Sequence, residues 1–487
     1  MMSESISSIM REFIVKKLFR FFESPPIIAW ILAVAFASVG YRFFAAGLTG
    51  DSPLYAVVAR NIYESGDWFN LVSGLPEFQP FAEHPHLGFW VSAFWFKMLG
   101  PSDWVYRLSG QIFYVLTMFV IFELIKHRLG AERAFISLFI LSIWPSFPKY
   151  FAISYLDAGF CFFSFFSLYL FNNFFFFSGL CAGLAVLYKG TVAAALIPVF
   201  IAALFEFKVS IWRRVRQGFL FCVGLILVVS LYCFLLYRND AFGFVWDYIS
   251  SVSRRSQGLD LIRLFEWKVW WSLFKETHGL AFLTPIFLLR SRASVSEFKI
   301  LPLSWFLLFF VPYVASGRFG HQYWMTVMPA LAWMISSVTP ARLIDKSDGL
   351  KKWSFLAFSV LGVVFQFTPI PKRGEPNEFT LELKSKMKRY SIDQLYVDKG
   401  SLVVEDFSDT GRLLWYIGFK SATYVQPGDR VPSGSMSAAY EWVREGRNSV
   451  TKMQLYKEMS EKGWCPLVYS SDGTRAVFIS CVYFPQI

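Results

Sequence analysis

The chain has 487 residues, 55% of them hydrophobic and 20% aromatic, with only 17% charged. That is too apolar for a protein whose whole surface faces water, and it excludes an ordinary soluble enzyme. The formal charge of +12 does not point to nucleic acid, because no basic stripe with interleaved aromatics is present; in a membrane chain Lys and Arg report orientation and lipid headgroups instead.

The N-terminus carries Arg11, Lys16, Lys17 and Arg20, followed by an apolar run. Ala35-Phe36-Ala37 resembles a signal-peptidase site, but the run continues to Gly47, so an uncleaved anchor spanning about 27–47 is expected. Basic residues before that span place its start in the cytoplasm.

Next comes Asp51-Ser52-Pro53, with Leu54, Val57, Val58 and Ile62 spaced as one apolar helix face. This pattern predicts a helix lying along the membrane interface. Proline favours the first helical position, so Ser52 is the expected N-cap and Asp51 precedes it. On spacing alone Asp51 either complements the helix dipole or carries chemistry. Glu83-His84-Pro85-His86 reads as a polar loop or a metal site. The apolar piece from Leu87 to Leu99 is too short to cross and is expected to be interfacial.

Further spans are expected at about 107–125, 133–148, 158–171, 174–188, 191–206, 218–237, 278–290, 300–315, 322–338 and 353–369. The count is then about eleven. Inside loops then hold Lys208, Arg213, Arg214 and Arg216, then Arg290, Arg292 and Lys299, then Arg342, Lys346, Lys351 and Lys352. Positive charge belongs on that side. An odd count puts the C-terminal tail outside. There the composition turns polar, with strand-like runs (Leu402–Val404, Val477–Ile479) and an amphipathic piece near Leu381–Tyr390. Two domains are therefore expected: a membrane part, 1–370, and a small soluble α/β domain, 371–487. Leu467–Ser470 and Thr474–Val482 flank Asp472-Gly473, a hairpin signal that would bring Cys465 opposite Cys481 and favour a disulfide in an oxidising compartment.

Ionisable residues at membrane borders are functional candidates. On the outer face this topology collects Asp51, Glu83, His84, His86, Asp157, Lys189, Arg318 and His321. Asp157 either caps the following span or acts in a site, and Lys189 either snorkels or binds.

Five elements, in order, resemble the C-type glycosyltransferase superfamily of protein O-mannosyltransferases and lipid A aminoarabinose transferases. They are Asp51 to Arg60 with Ser65-Gly-Asp-Trp68; Glu83-His84-Pro85-His86-Leu87; Tyr155-Leu156-Asp157; Gly183-Leu-Ala-Val-Leu-Tyr-Lys189-Gly190; and Arg318-Phe-Gly-His321-Gln-Tyr323 to Met328-Pro329-Ala-Leu-Ala332. The similarity covers about residues 27–340. Two departures stand out: Ser52 where the family often has an acidic residue, and His86 where it has a second proline.

The resemblance implies an inverting glycosyltransferase in a bacterial-type inner membrane, its site on the periplasmic side. It would move a sugar from a polyprenyl-phosphate donor to an acceptor, lipid A or another envelope glycolipid, with a protein acceptor as the alternative. Asp51 matches the family's base. Lys189, with Arg254, Arg255 and Arg318, would meet the leaving phosphate; Glu83, His84, Asp157 and His321 would contact sugar or orient partners. No cofactor is required, and a divalent ion near Glu83 is compatible with this chemistry without being demanded by it. A transporter or lipid flippase is the competing class, but it would carry ionisable residues near mid-membrane and paired broken helices.

Overall fold

The computed structural model describes residues 48, 50–74, 81–144, 146–154, 156–171, 173–190, 196–206, 210–256, 260–277, 279, 282, 300–316 and 323–338, together with residue 461 and five strands between 394 and 480. The helices are α1 (Ser52–Ser65), α2 (Leu87–Leu99), α3 (Asp103–Leu129), α4 (Ala131–Ile143), α5 (Ser146–Ala152), α6 (Leu156–Leu170) and α7 (Phe175–Lys189). They continue with α8 (Leu196–Glu206), α9 (Ile211–Arg238), α10 (Gly243–Ser256), a 3-10 turn (Leu261–Phe265), α11 (Trp267–Thr277), α12 (Ile300–Ala315) and α13 (Trp324–Val338). Eight of these coincide with expected spans. The expected spans at 27–47 and 353–369 lie outside the described residues, as does 278–290 apart from Gly279 and Phe282. The span expected at 133–148 is interrupted: α4 stops at Ile143, and the short α5 follows.

Among the described residues two helices, α3 and α9, are long and apolar enough to cross a membrane. In α9 Trp212, Phe219, Ile226, Leu227, Leu231 and Phe234 are exposed, while Gln217 and Gly224 are buried beside Phe221, Tyr232 and Leu236. So large an exposed apolar surface is what lipid as solvent selects. The inward stripe packs on α7, whose Gly179 and Gly183 stand four residues apart. A side chain at Gly179 would strike the Phe221 carbonyl, and one at Gly224 would strike that of Phe176. Only hydrogen on those Cα atoms lets the two backbones approach so closely.

Indole and serine groups tie the other helices. Trp305 donates from Nε1 to the Thr326 carbonyl at 2.8 Å, joining α12 to α13. The hydroxyls of Ser137 and Ser336 pair at 2.7 Å, joining α4 to α13. Where no water can serve as partner, such groups must meet one another.

Helix α1 departs from the interfacial reading. Every residue from Ser52 to Arg60 is buried, so this stretch is enclosed by protein rather than presenting one apolar face, and only the last turn, Tyr63 to Ser65, is exposed. α2 has 13 residues; Phe89, Ala93 and Phe96 face the protein while Phe94, Met98 and Leu99 are exposed.

In the tail, β1 (Gln394–Asp398), β2 (Ser421–Val425), β3 (Ala438–Val443), β4 (Trp464–Tyr469) and β5 (Arg475–Ser480) form one sheet in the order β2-β1-β3-β5-β4. β1 is parallel to both β2 and β3, and β5 is antiparallel to both β3 and β4. The stretch 399–420 is long enough for the crossover that a parallel pair needs. Val477–Ile479 lies inside β5, as expected; the pieces 402–404 and 381–390 lie outside the described residues. β4 and β5 pair with Cys465 opposite Ile479.

Candidate active site

Asp51 sits at the N-terminus of α1, and its own position is the N-cap, one residue earlier than the sequence suggested. No side chain caps the helix there. Ser52 is inside the first turn with its hydroxyl committed elsewhere, donating to the Ile153 carbonyl at 2.8 Å. That bond pins the start of α1 to the end of α5. Asp51 thus stands at the N-cap without a capping hydrogen bond, its charge still facing the positive end of the helix. Its side chain keeps solvent access. The surrounding protein nonetheless desolvates the carboxyl and raises its pKa, while the Lys189 ammonium and a hydrogen bond from the Tyr55 hydroxyl pull it back. A carboxylate held nearer neutrality is a better proton acceptor than a freely solvated one.

Lys189 ends α7 and Asp157 lies in the first turn of α6. Both side chains are buried, and Lys189 Nζ donates to Asp157 Oδ1. Asp157 is thus an ion-pair partner and not the helix cap. Lys189 does not snorkel: its residue is only 6% exposed, and the ammonium lies over the Tyr323 ring at 4.7 Å and the Tyr313 ring at 5.9 Å. Two carboxylates, Asp51 and Asp157, share the field of this one cation. Gly190 follows with φ +66°, a left-handed backbone, and a side chain there would collide with the Tyr248 hydroxyl of α10. Glycine is required on both counts.

The Glu83-His84-Pro85-His86 loop faces the same region from α2. Glu83 Oε1 accepts from the Ser251 hydroxyl of α10 at 3.0 Å. His84 Nε2 lies 3.0 Å from the Tyr55 hydroxyl. His86 has a structural position instead. It is fully buried, its Nε2 is 2.9 Å from the Phe69 carbonyl and its Nδ1 is 2.6 Å from the Tyr232 hydroxyl. A carbonyl only accepts, so Nε2 carries the proton and Nδ1 accepts from Tyr232. Burial pushes its pKa down to about 4, against the partial support of the Phe69 carbonyl and Asp67. The imidazole is neutral and fully engaged.

The arginines are less convergent. Arg254 is exposed near the end of α10, and the side chain of Arg255 lies outside the described residues. Lys268, another cation of this outer segment, pairs with its neighbour Glu266 at 2.7 Å. Arg318 and His321 also lie outside the described residues. Among the described residues no group of three His, Cys, Asp or Glu side chains could hold a metal ion. The residues the sequence reading passed over are Tyr55, Tyr248 and Ser251. Tyr55 stands one helical turn after Asp51, a legible relation. Tyr248 and Ser251 carry no sequence signal, since only the docking of α10 brings them in.

Residues 83–236 match the family model described as dolichyl-phosphate-mannose-protein mannosyltransferase. No curated protein matches the chain. Among solved structures, ArnT from Cupriavidus metallidurans bound to undecaprenyl phosphate superimposes with a TM-score of 0.69 at 15% identity, covering 94% of this chain and 98% of that one. ArnT from the same organism in the apo state gives 0.64 at 14% identity, covering 97% and 99%. Such coverage takes the alignment into the segment after residue 371, where the sequence alone resembles nothing nameable. These findings return the C-type glycosyltransferase fold that the five motifs resemble.

Proposed function

We propose, from the C-type glycosyltransferase fold of this chain, that it transfers a sugar from a polyprenyl-phosphate donor to an acceptor hydroxyl at the outer face of the inner membrane. The observation that carries the reading is the convergence on Asp51: a carboxylate at the head of α1, hydrogen-bonded by Tyr55, with raised pKa, within the field of the buried Lys189. The bound undecaprenyl phosphate of the ArnT structure supports the donor class.

In this reading Asp51 takes the acceptor's proton as its oxygen attacks the anomeric carbon, and the carrier phosphate leaves with the electrons of the broken bond. Phosphate is a good leaving group, so a single carboxylate suffices where glycoside hydrolysis uses two. Lys189 stabilises charge developing on the phosphate, and Asp157 holds the ammonium in place until then. Glu83, anchored by Ser251, faces the sugar. Arg254, Arg255, Arg318 and His321 keep the roles that the family resemblance implies, the arginines toward the leaving phosphate and His321 toward the sugar, and the mechanism calls on no cofactor. A disulfide at Cys465 supports placing the tail, 371–487, in an oxidising compartment as a separate soluble domain.

The acceptor is an envelope glycolipid such as lipid A. A protein acceptor is the second reading, favoured by the description of the matching family model. Purified protein in detergent should consume a polyprenyl-phosphate sugar when given envelope lipid, and Asp51→Asn, which keeps the side-chain volume, should not. A stable Asp51→Asn protein with near-normal transfer would rule the assignment out.

A further inference from the structure

The transfer proposed above releases a proton at every turnover. A phosphodiester donor carries one negative charge, whereas the phosphomonoester set free has a second pKa near 6 and is largely doubly charged at neutral pH. The acceptor's proton therefore ends on Asp51 and has to leave before the next cycle. In the proposed reading the acceptor approaches Asp51 from its solvent side, which leaves the hydrogen-bonded side chains behind the carboxylate as a second path for the proton.

Behind Asp51 stands Tyr55, buried, its hydroxyl bonded to the Asp51 carboxylate. The same hydroxyl lies 3.0 Å from His84 Nε2, with the two rings edge to face at 5.6 Å. Phe89 packs on the Tyr55 ring at 5.8 Å, so the phenol is held in one orientation. His84 is only partly buried and borders solvent. We propose that Tyr55 and His84 form a proton relay that discharges Asp51 after each transfer, Tyr55 positioning the chain and His84 delivering the proton to water.

The steps balance. With Asp51 ionised, Tyr55 donates to the carboxylate and accepts from His84 Nε2–H. Once Asp51 holds the acceptor's proton, His84 gives its Nε2 proton to water and takes one from water at Nδ1, with no net change, and Tyr55 then donates to the freed Nε2. The Asp51 O–H bond then breaks as Tyr55 gains that proton, and the proton Tyr55 gives up bonds to Nε2. The resulting imidazolium loses its Nδ1 proton to water. No oxidant, reductant or further reagent enters. Histidine suits the last position because its ordinary pKa lies near working pH, where it both takes and gives a proton. Among the described residues the charged groups around the pair include Asp51, Lys189 with its partner Asp157, and Glu83 beside His84 in the chain. Asp51 and Lys189 act on the relay from the substrate side.

The relay rests on the glycosyltransferase reading, and one set of variants separates the two. Donor consumption would be followed at saturating polyprenyl-phosphate sugar for the wild type, Asp51→Asn, Tyr55→Phe, His84→Gln and His84→Ala in detergent. Tyr55→Phe and His84→Gln should lower kcat about 10- to 100-fold, with donor KM little changed. Glutamine retains a hydrogen bond to Tyr55 but cannot carry a proton, so a merely orienting histidine would leave His84→Gln active. Added imidazole should restore rate to His84→Ala, with a rescue that follows the neutral imidazole fraction across pH. Wild-type kcat in Tyr55→Phe or His84→Gln, beside an inactive Asp51→Asn, would overturn the relay and leave the base in place. Failure of imidazole to rescue His84→Ala would also overturn it. Full activity in Asp51→Asn would remove both.

Discussion

Replacing Lys189 by Gln perturbs three things at once, and the structure separates them. The ammonium is buried and paired with a carboxylate only 4% exposed. Removing one partner leaves Asp157 charged and unpaired in a dry site, a loss of about 3–5 kcal/mol in stability. That corresponds to a melting temperature lower by about 3–5 °C in detergent. In the double variant Lys189→Gln/Asp157→Asn the uncompensated charge is gone, and most of that stability should return. Catalysis should not return, because the leaving phosphate still lacks its cation; the expected loss is about 1.5–3 kcal/mol, on the order of ten- to a hundredfold in kcat. The third effect is on Asp51, whose raised pKa is partly offset by Lys189. Without the ammonium that pKa rises further, so the acidic limb of the pH-rate profile should move to higher pH. Asp157→Asn alone leaves the ammonium acting on Asp51 undivided, and the limb should move the opposite way. Thermal melts by tryptophan fluorescence and pH profiles of donor consumption give both readouts. Limbs that move together, or a Lys189→Gln protein as stable as the wild type, would refute the shared-cation account.

Three other outcomes are expected. Because His86 resists protonation down to about pH 4 while the unfolded chain takes up its proton near 6.5, stability should fall as pH drops between those values and level off below. The change is up to about 3 kcal/mol, and His86→Gln should flatten that part of a plot of melting temperature against pH. Ser251→Ala removes the donor to Glu83 and should lower kcat/KM by about 0.5–1.5 kcal/mol with an unchanged melting temperature; a loss of fold instead would make the bond structural. Cys465 is disulfide-bonded, while Cys161, Cys181, Cys222 and Cys233 are free. Alkylation of the denatured protein should therefore label two more cysteines after reduction than before; equal labelling would argue against an oxidising location for the tail.

How far the chain could be read without coordinates depends on the range of the interaction involved. Span length, the Lys and Arg bias and the turn to polar composition after residue 370 are local properties. They located eight helices with ends off by up to seven residues, and the pairing of β4 with β5 followed from the Asp472-Gly473 turn signal, although the register sets Cys465 opposite Ile479 and not Cys481. Asp51 was singled out by its place before a helix start, and Lys189 by its place at a helix end. What each side chain does was not local. Ser52 has the chemistry of a cap, yet its hydroxyl goes to Ile153, a hundred residues away. Lys189 and Asp157 each suited a surface role in isolation, and packing of α7 on α6 turned them into a buried pair. His86 looked like a loop histidine until Tyr232 and Phe69 closed on it. Helix periodicity records which face is apolar, while the partner of a polar group is set by which helices pack together. Here that was decided by the close approach that glycine permits between α7 and α9, and by the docking of α10 over Glu83 and Gly190.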